Sequence, residues 1–288
     1  MYPGFEATTI DTPRGPVFAR VGGSGPPVLL LHGFPETHVM WHAVAPRLAE
    51  RFTVVATDLP GYGASFRPPV SEDHAAHSKR ALAEDHVAAM ASLGHDAFAV
   101  IGHDRGGRVA YRMALDHPQA VTRLAVLDIV PTGELWERAD WRVAIGYWHW
   151  GFLAQPAPLP ERLIAGDPDA FWLAAERMGI LGFPDEVIAA YRAQLDDPSA
   201  IEAWCEDYRA AATIDRALDD AETRTISCPV RALWGANGAL PLFYDDPLEL
   251  WRGLAPDVTG RAIERSSHFL AEDQPEAVIA DLLAFLSG

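Results

Sequence analysis

Lysine is almost missing from this chain: Lys79 is the only one among 23 basic side chains in 288 residues. Set against 40 acidic side chains, this leaves a formal net charge of -17. Binding to nucleic-acid phosphates needs clustered Lys and Arg, so no nucleic-acid partner is expected. A small anionic substrate is not excluded, because salt screens distant acidic groups beyond roughly 8 Å and two arginines at one place can outweigh them. Cysteine is scarce as well. Cys205 and Cys228 match no metal-ligand spacing and make no disulfide framework. They point to a reduced, cytoplasmic protein without a metal. No uncharged apolar stretch reaches the 18 or so residues that span a bilayer, and the start Met-Tyr-Pro-Gly-Phe-Glu lacks the features of a signal peptide. No membrane partner is expected. Internal repeats and low-complexity tracts are also missing. What is present is 49% hydrophobic and 22% charged, enough to bury a sizeable core.

Short β-like runs alternate with helical patterns. Residues 9–10 and 17–21 suggest an opening antiparallel pair. Residues 28–31, 53–57, 97–101, 124–127 and 230–234 are continuous apolar runs of the kind that become strands buried on both faces. Helical patterns at 81–93 and 109–115 lie between them, the latter ended by Pro118. This alternation predicts a mostly parallel sheet covered on both faces. It breaks after Asp128. Residues 131–222 show no clear strand and carry six of the nine tryptophans, Trp136, Trp141, Trp148, Trp150, Trp172 and Trp204. They read as a helical cap inserted into a core made of residues 1–130 and 223–288. Cap aromatics should mostly fill the cap's own core, with some lining the cleft beneath it. Residues 156–160, Pro-Ala-Pro-Leu-Pro, read as a stiff connector.

The most informative segment is an apolar strand followed by Gly102-His103-Asp104-Arg105-Gly106-Gly107-Arg108 and then a helix. The alternative is an ordinary glycine-rich turn, but its place after a buried strand matches a nucleophile elbow, with aspartate where serine is usual. That exchange narrows the chemistry. Serine attacking a saturated carbon would leave a stable ether, whereas a carboxylate leaves an ester that water can cleave. Asp104 therefore implies displacement at a saturated carbon, with a halide or an opened epoxide leaving. Its place at a helix N-terminus should keep it ionised.

A base must activate water for the second step. His268, in Arg265-Ser-Ser-His268-Phe, follows the last candidate strand and precedes the final helix pattern at 275–286. An acid must orient it. The fifth position of Trp234-Gly235-Ala-Asn-Gly238 often carries that acid but holds glycine here. Asp128, at the carboxyl end of the preceding strand, is the alternative. The backbone N–H groups of Phe34 and Arg105 would form the oxyanion hole. Asp58-Leu-Pro-Gly-Tyr-Gly63 reads as a structural turn.

Taken together, these segments resemble the α/β-hydrolase superfamily over nearly the whole chain. Gly102–Arg108, Tyr147-Trp-His-Trp150 and Cys205-Glu-Asp-Tyr208-Arg are similar to fluoroacetate dehalogenases, although the first motif is shared in part with epoxide hydrolases. The resemblance implies an α/β-hydrolase fold: a mostly parallel eight-stranded sheet, helices on both faces, and a cap after the sixth strand. It implies that Arg105 and Arg108 bind a substrate carboxylate, a group that suits guanidinium forks. It assigns His149, Trp150 and Tyr208 to the leaving halide; the alternative is that they are cap core, which a lone aromatic would suggest but an adjacent His and Trp in this motif does not. Arg112, two turns beyond Asp104, reads as a solvated or structural arginine. The resemblance further implies a homodimer and no cofactor. Two rival readings are an epoxide hydrolase, which would use cap tyrosines and need no arginine pair, and a binding protein of this fold without catalysis.

Overall fold

A computed structural model describes residues 1–175, 180 and 182–288 of the chain. The apolar runs become strands: β1 (Phe5–Asp11), β2 (Pro16–Gly23), β3 (Pro27–Leu31), β4 (Thr53–Thr57), β5 (Phe98–His103), β6 (Val121–Leu127), β7 (Val230–Gly235) and β8 (Thr259–Ile263). They form one sheet in the order β1-β2-β4-β3-β5-β6-β7-β8. β2 is antiparallel to both β1 and β4, and the remaining pairings are parallel. β1 and β6 begin earlier than their apolar runs because exposed residues near their starts, Glu6 and Ala7 in β1 and Thr122 in β6, interrupt the apolar pattern. β5, by contrast, is buried at every residue.

Helices α1 (Ala45–Leu48), α2 (Lys79–Ser92) and α3 (Asp104–Asp116) connect the strands up to β6. Ser78 caps α2, its hydroxyl accepting from the Ala81 N–H at 3.2 Å, an interaction commonly worth about 1 kcal/mol. α3 starts earlier than its apolar periodicity because the elbow itself is helical.

Between β6 and β7 the described residues form no strand. They make α4 (Thr132–Glu137), α5 (Trp141–Gly146), α6 (Trp148–Leu153), α7 (Leu159–Gly166), α8 (Pro168–Ala175), α9 (Asp185–Arg192), α10 (Pro198–Ala212) and α11 (Ile214–Asp220), all within the segment expected to form the cap. The connector at 156–160 is shorter than its prolines suggest: α7 begins at Leu159, with Pro160 in its first turn, where the missing N–H costs nothing. Trp150, Trp172 and Trp204 are buried, whereas Trp141 and Trp148 face outward. After β7 come α12 (Leu240–Phe243), α13 (Leu270–Asp273) and α14 (Pro275–Ser287).

The parallel register places the site. Leu31 pairs with Gly102, His103 with Leu127, Leu127 with Leu233 and Gly235 with Ile263. The turns after β3, β5, β6, β7 and β8 therefore emerge side by side along one edge of the sheet, where open α/β sheets gather their ligands.

Candidate active site

At the elbow the backbones nearly touch. A Cβ on Gly102 would lie 2.4 Å from the Gly106 carbonyl oxygen, and one on Gly106 would lie 2.4 Å from that of His32. Only glycine tolerates such contact. The turn drives Asp104 to φ +42°, a left-handed conformation costing on the order of 1–3 kcal/mol. The Phe34 N–H donates to Asp104 Oδ2 at 3.1 Å. Arg105 is the second residue of α3, so its N–H has no acceptor within the helix. One amide of the expected oxyanion hole thus already meets the nucleophile, and the other is free beside it. Burial alone would raise the Asp104 carboxyl, but His268, Arg105, His103 and Arg108 together bring it down to about 2. Asp104 is therefore a carboxylate at neutral pH.

His268 Nδ1 lies 2.6 Å from Asp128 Oδ2. Asp128 Oδ1 accepts from the Gly235 N–H at 2.9 Å, so both carboxylate oxygens are engaged. With Nδ1 held, Nε2 is the nitrogen left for proton transfer. A Cβ on Gly238 would stand 3.4 Å from Asp128 Oδ1. The acid arriving from β6 thus lies directly against the position where the acid is absent.

Arg105 and Arg108 are buried on α3. Arg108 Nη1 donates to the Val130 carbonyl and to Thr132 Oγ1, both at 3.0 Å. Arg105 Nε and Nη2 donate to the side chain and backbone carbonyl of Asp207, both at 2.7 Å. Arg105 Nη1 and Arg108 Nε are buried and have no protein partner. Arg112 sides with structure: it is buried, pairing with Glu222 at 2.5 Å and Asp116 at 3.1 Å.

From the cap, Trp150 brings its ring within 4.5 Å of the Arg108 guanidinium carbon and 5.2 Å of that of Arg105. Tyr208 lies 4.1 Å from the latter. Such stacking is worth about 0.5–2 kcal/mol each, more when water is excluded. His149 stacks on Phe34 at 6.0 Å and meets Tyr208 at 5.7 Å. His149 Nδ1 and Tyr208 Oη are buried without a protein partner. Burial lowers His149 to about 3, so it is neutral. The structure thus gathers all nine predicted residues: Phe34, Asp104, Arg105, Arg108, Asp128, His149, Trp150, Tyr208 and His268. Each is under one-tenth exposed. Two surface clefts, of 560 and 440 Å³, lie elsewhere and touch none of these nine.

The sequence reading gave no role to His103, Glu36 or Asp207. His103 Nδ1 lies 2.8 Å from Glu36 Oε2, and its Nε2 lies 2.9 Å from the His268 carbonyl oxygen. Both nitrogens face acceptors. Burial would lower this histidine, but Glu36 raises it to about 9, so it is an imidazolium at neutral pH. It ties the loop of His268 to the elbow. The available signal was a histidine adjacent to the nucleophile. Asp207 lies within the Cys205-Glu-Asp-Tyr208-Arg motif, but nothing local tied it to Arg105. Among the described residues no cluster of three or more His, Cys, Asp or Glu could hold a metal, and no helix is long and apolar enough to cross a membrane.

The sheet order, the elbow and the row of Asp104, Asp128 and His268 define an α/β hydrolase. The chain belongs to that family: residues 26–275 match its α/β-hydrolase-fold model. It is 43% identical to a fluoroacetate dehalogenase from Burkholderia sp, covering 100% of this chain and 95% of that protein. A soluble epoxide hydrolase from Corynebacterium sp. (strain C12) is 33% identical, with 92% and 91% covered. Among solved structures, a candidate α/β hydrolase from Nostoc sp PCC 7120 superposes with a TM-score of 0.96 at 46% identity, covering 100% of this chain and 99% of that one.

Proposed function

We propose that this chain is a haloacetate dehalogenase that converts haloacetates, fluoroacetate included, to glycolate. The observation that carries the reading is a set of buried polar atoms without protein partners around an ionised aspartate: Arg105 Nη1, Arg108 Nε, His149 Nδ1 (a donor in its Nδ1–H tautomer) and Tyr208 Oη. A buried donor left unpaired costs about 1–3 kcal/mol. Two cationic donors suit a carboxylate, and two neutral ones suit a departing halide. The likeness to a fluoroacetate dehalogenase at 43% identity favours this substrate class over the epoxides of the relative at 33%.

The haloacetate carboxylate binds to Arg105 and Arg108, which fixes its α-carbon above Asp104. An Asp104 oxygen attacks that carbon from the side opposite the halogen. The carbon–halogen bond breaks, and the halide leaves with the electron pair into the donors of His149, Trp150 and Tyr208. Fluoride holds its hydration tightly, so directed donors in a dry pocket matter most for it. His268, oriented by Asp128, then takes a proton from water. The hydroxide adds to Asp104 Cγ, and the N–H groups of Phe34 and Arg105 hold the resulting oxyanion. Collapse expels the glycolate alkoxide, which takes the proton from His268, and the Asp104 carboxyl then gives the second water proton to solvent, which restores the carboxylate.

Our assignment of 131–222 as the cap and 1–130 with 223–288 as the core follows the same reading: every halide donor comes from the cap, and the nucleophile, base and acid come from the core. A cytoplasmic location is supported by two free thiols, Cys205 and Cys228. A homodimer is supported by apolar side chains left exposed on the cap and beside it, Trp141, Ile145 and Leu242; sedimentation at micromolar concentration tests it. The function is tested by fluoride release from fluoroacetate and chloride release from chloroacetate, beside styrene oxide. Halide release with no epoxide turnover is expected. A preference for the epoxide over every haloacid would sink the reading.

A further inference from the structure

We propose that Asp207 and Lys79 are positioning residues that set the aim and the net charge of Arg105, and through it the preference for a carboxylate substrate. The inference rests on the dehalogenase reading above. It begins from a mismatch of origins. Arg105 grows from the core helix α3, yet the residue that orients it belongs to the cap helix α10. Its Nε donates to Asp207 Oδ2 and its Nη2 to the Asp207 carbonyl, both at 2.7 Å. Two bonds from one residue fix a planar fork. The Tyr208 ring supports the guanidinium at 4.1 Å. The edge that remains is Nη1, buried and without a protein partner. Asp207 therefore decides where the free edge points.

An aspartate this close would also consume the charge it orients. Lys79 offsets that. The sole lysine of the chain is 1% exposed, and its Nζ donates to Asp207 Oδ1. The other carboxylate oxygen, Oδ2, also accepts from the Tyr62 hydroxyl at 2.9 Å. A second cap acid, Asp215, lies 3.4 Å from Lys79 Nζ and accepts the Lys79 backbone N–H at 2.8 Å. That places the Asp215 carboxylate at the positive N-terminus of α2, which helps to balance it. With Asp215 partly balanced in this way, Lys79 offsets much of the charge of Asp207, and more of the Arg105 charge is left for substrate. A pair of Arg105 and Asp207 alone would need no lysine, and burying an ammonium carries a desolvation cost that an apolar side chain avoids. The cluster exists only with the cap seated, since Lys79, Arg105 and Tyr62 are core residues and both aspartates are cap residues.

The test measures kcat and KM for chloroacetate and for neutral chloroacetamide in wild type, Lys79→Met, Lys79→Arg and Asp207→Asn. Lys79→Met should raise KM for chloroacetate about tenfold or more and lower the acid-over-amide ratio of kcat/KM by a similar factor, as loss of a charge-assisted contact does. Lys79→Arg should bring that ratio most of the way back. Asp207→Asn should lower the ratio further and reduce kcat as well, because the fork loses its anchor. A ratio unchanged in Lys79→Met and Asp207→Asn, with both substrates slowed alike, would mean the cluster only holds the fold and overturns the proposal. Wild type that releases no chloride from chloroacetate removes the dehalogenase reading itself, and the proposal with it. Wild-type release with an unmoved ratio removes the proposal alone. Should Lys79→Met fail to fold, acetic anhydride labelling of wild type, read by peptide mass, decides the point. Lys79 should react far more slowly than the N-terminal amine, and faster in Asp207→Asn. Equal reactivity of the two amines in wild type overturns the closed cluster.

Discussion

On the core side of the site the groups that aim the nucleophile and its base already have partners. Asp128 uses both oxygens, His268 Nδ1 is held, and His103 uses both nitrogens. On the cap side, His149 Nδ1 and Tyr208 Oη have no protein partner, although both residues are as buried as the core machinery. The contrast follows from the two tasks. A nucleophile and its base must be aimed before substrate arrives, so their hydrogen bonds are made in advance. Donors for a leaving group must be kept unspent until charge develops. Arg105 and Arg108 stand between these cases, each with part of its fork anchored and part free.

The largest effect should come from breaking the core half. Asp104→Asn should lose turnover on the order of 10⁴-fold or more, as removing a covalent nucleophile does; halide release is the assay, with deamidation excluded by mass. His268→Asn should separate the two steps. Halide is released once, and the protein gains the mass of a carboxymethyl group that does not turn over. An unmodified variant with normal turnover would remove His268 from the mechanism. Next comes the boundary between the halves. Wild type should prefer chloroacetate over chloroacetamide by about a hundredfold, and Arg108→Lys should not restore the full preference because a point charge lacks the fork. Equal rates on acid and amide would break the clamp.

Removing a cap donor should be milder and selective. Trp150→Phe should slow fluoride release about tenfold more than chloride release, since fluoride depends most on hydrogen bonds. Loss equal for both halides would make Trp150 a packing residue. The smallest effect at neutral pH concerns His103. Its folded value of about 9 lies above the ordinary imidazole value of 6.5. Its pairing with Glu36 therefore contributes stability that is fully present below pH about 6.5 and is lost as pH rises through about 9. Thermal melts should fall across that window in wild type and stay flatter in His103→Gln.

The two halves also differed in how far the sequence revealed them. The strands on which the core residues sit are continuous apolar runs bounded by turns, and the glycines at 102 and 106 mark the close approach at the elbow. Asp104, Asp128 and His268 could be placed because each follows a strand end. The cap offered no such frame. His149, Trp150 and Tyr208 were legible only through short motifs similar to known dehalogenases, because an aromatic on a helix looks the same whether it fills a core or lines a cleft. The bond from Arg105 to Asp207 spans 102 residues, and the pairing of Lys79 with two cap aspartates needs tertiary structure. Of the six cap tryptophans, Trp141 and Trp148 are the two that stay exposed, while Trp150, Trp172 and Trp204 are buried and Trp136 partly so, in line with cap aromatics mostly filling its interior.

Position 238 bears on where an orienting acid can come from. A Cβ there would meet the Gly235 carbonyl oxygen at 3.2 Å, closer than ordinary contact, with Asp128 Oδ1 at 3.4 Å and the His268 backbone nitrogen at 3.5 Å. An aspartate at 238 beside Asp128 would press two carboxylates together, which raises the pKa of one of them. The ends of β6 and β7 thus open on the same point, and a single carboxylate there is enough to hold His268.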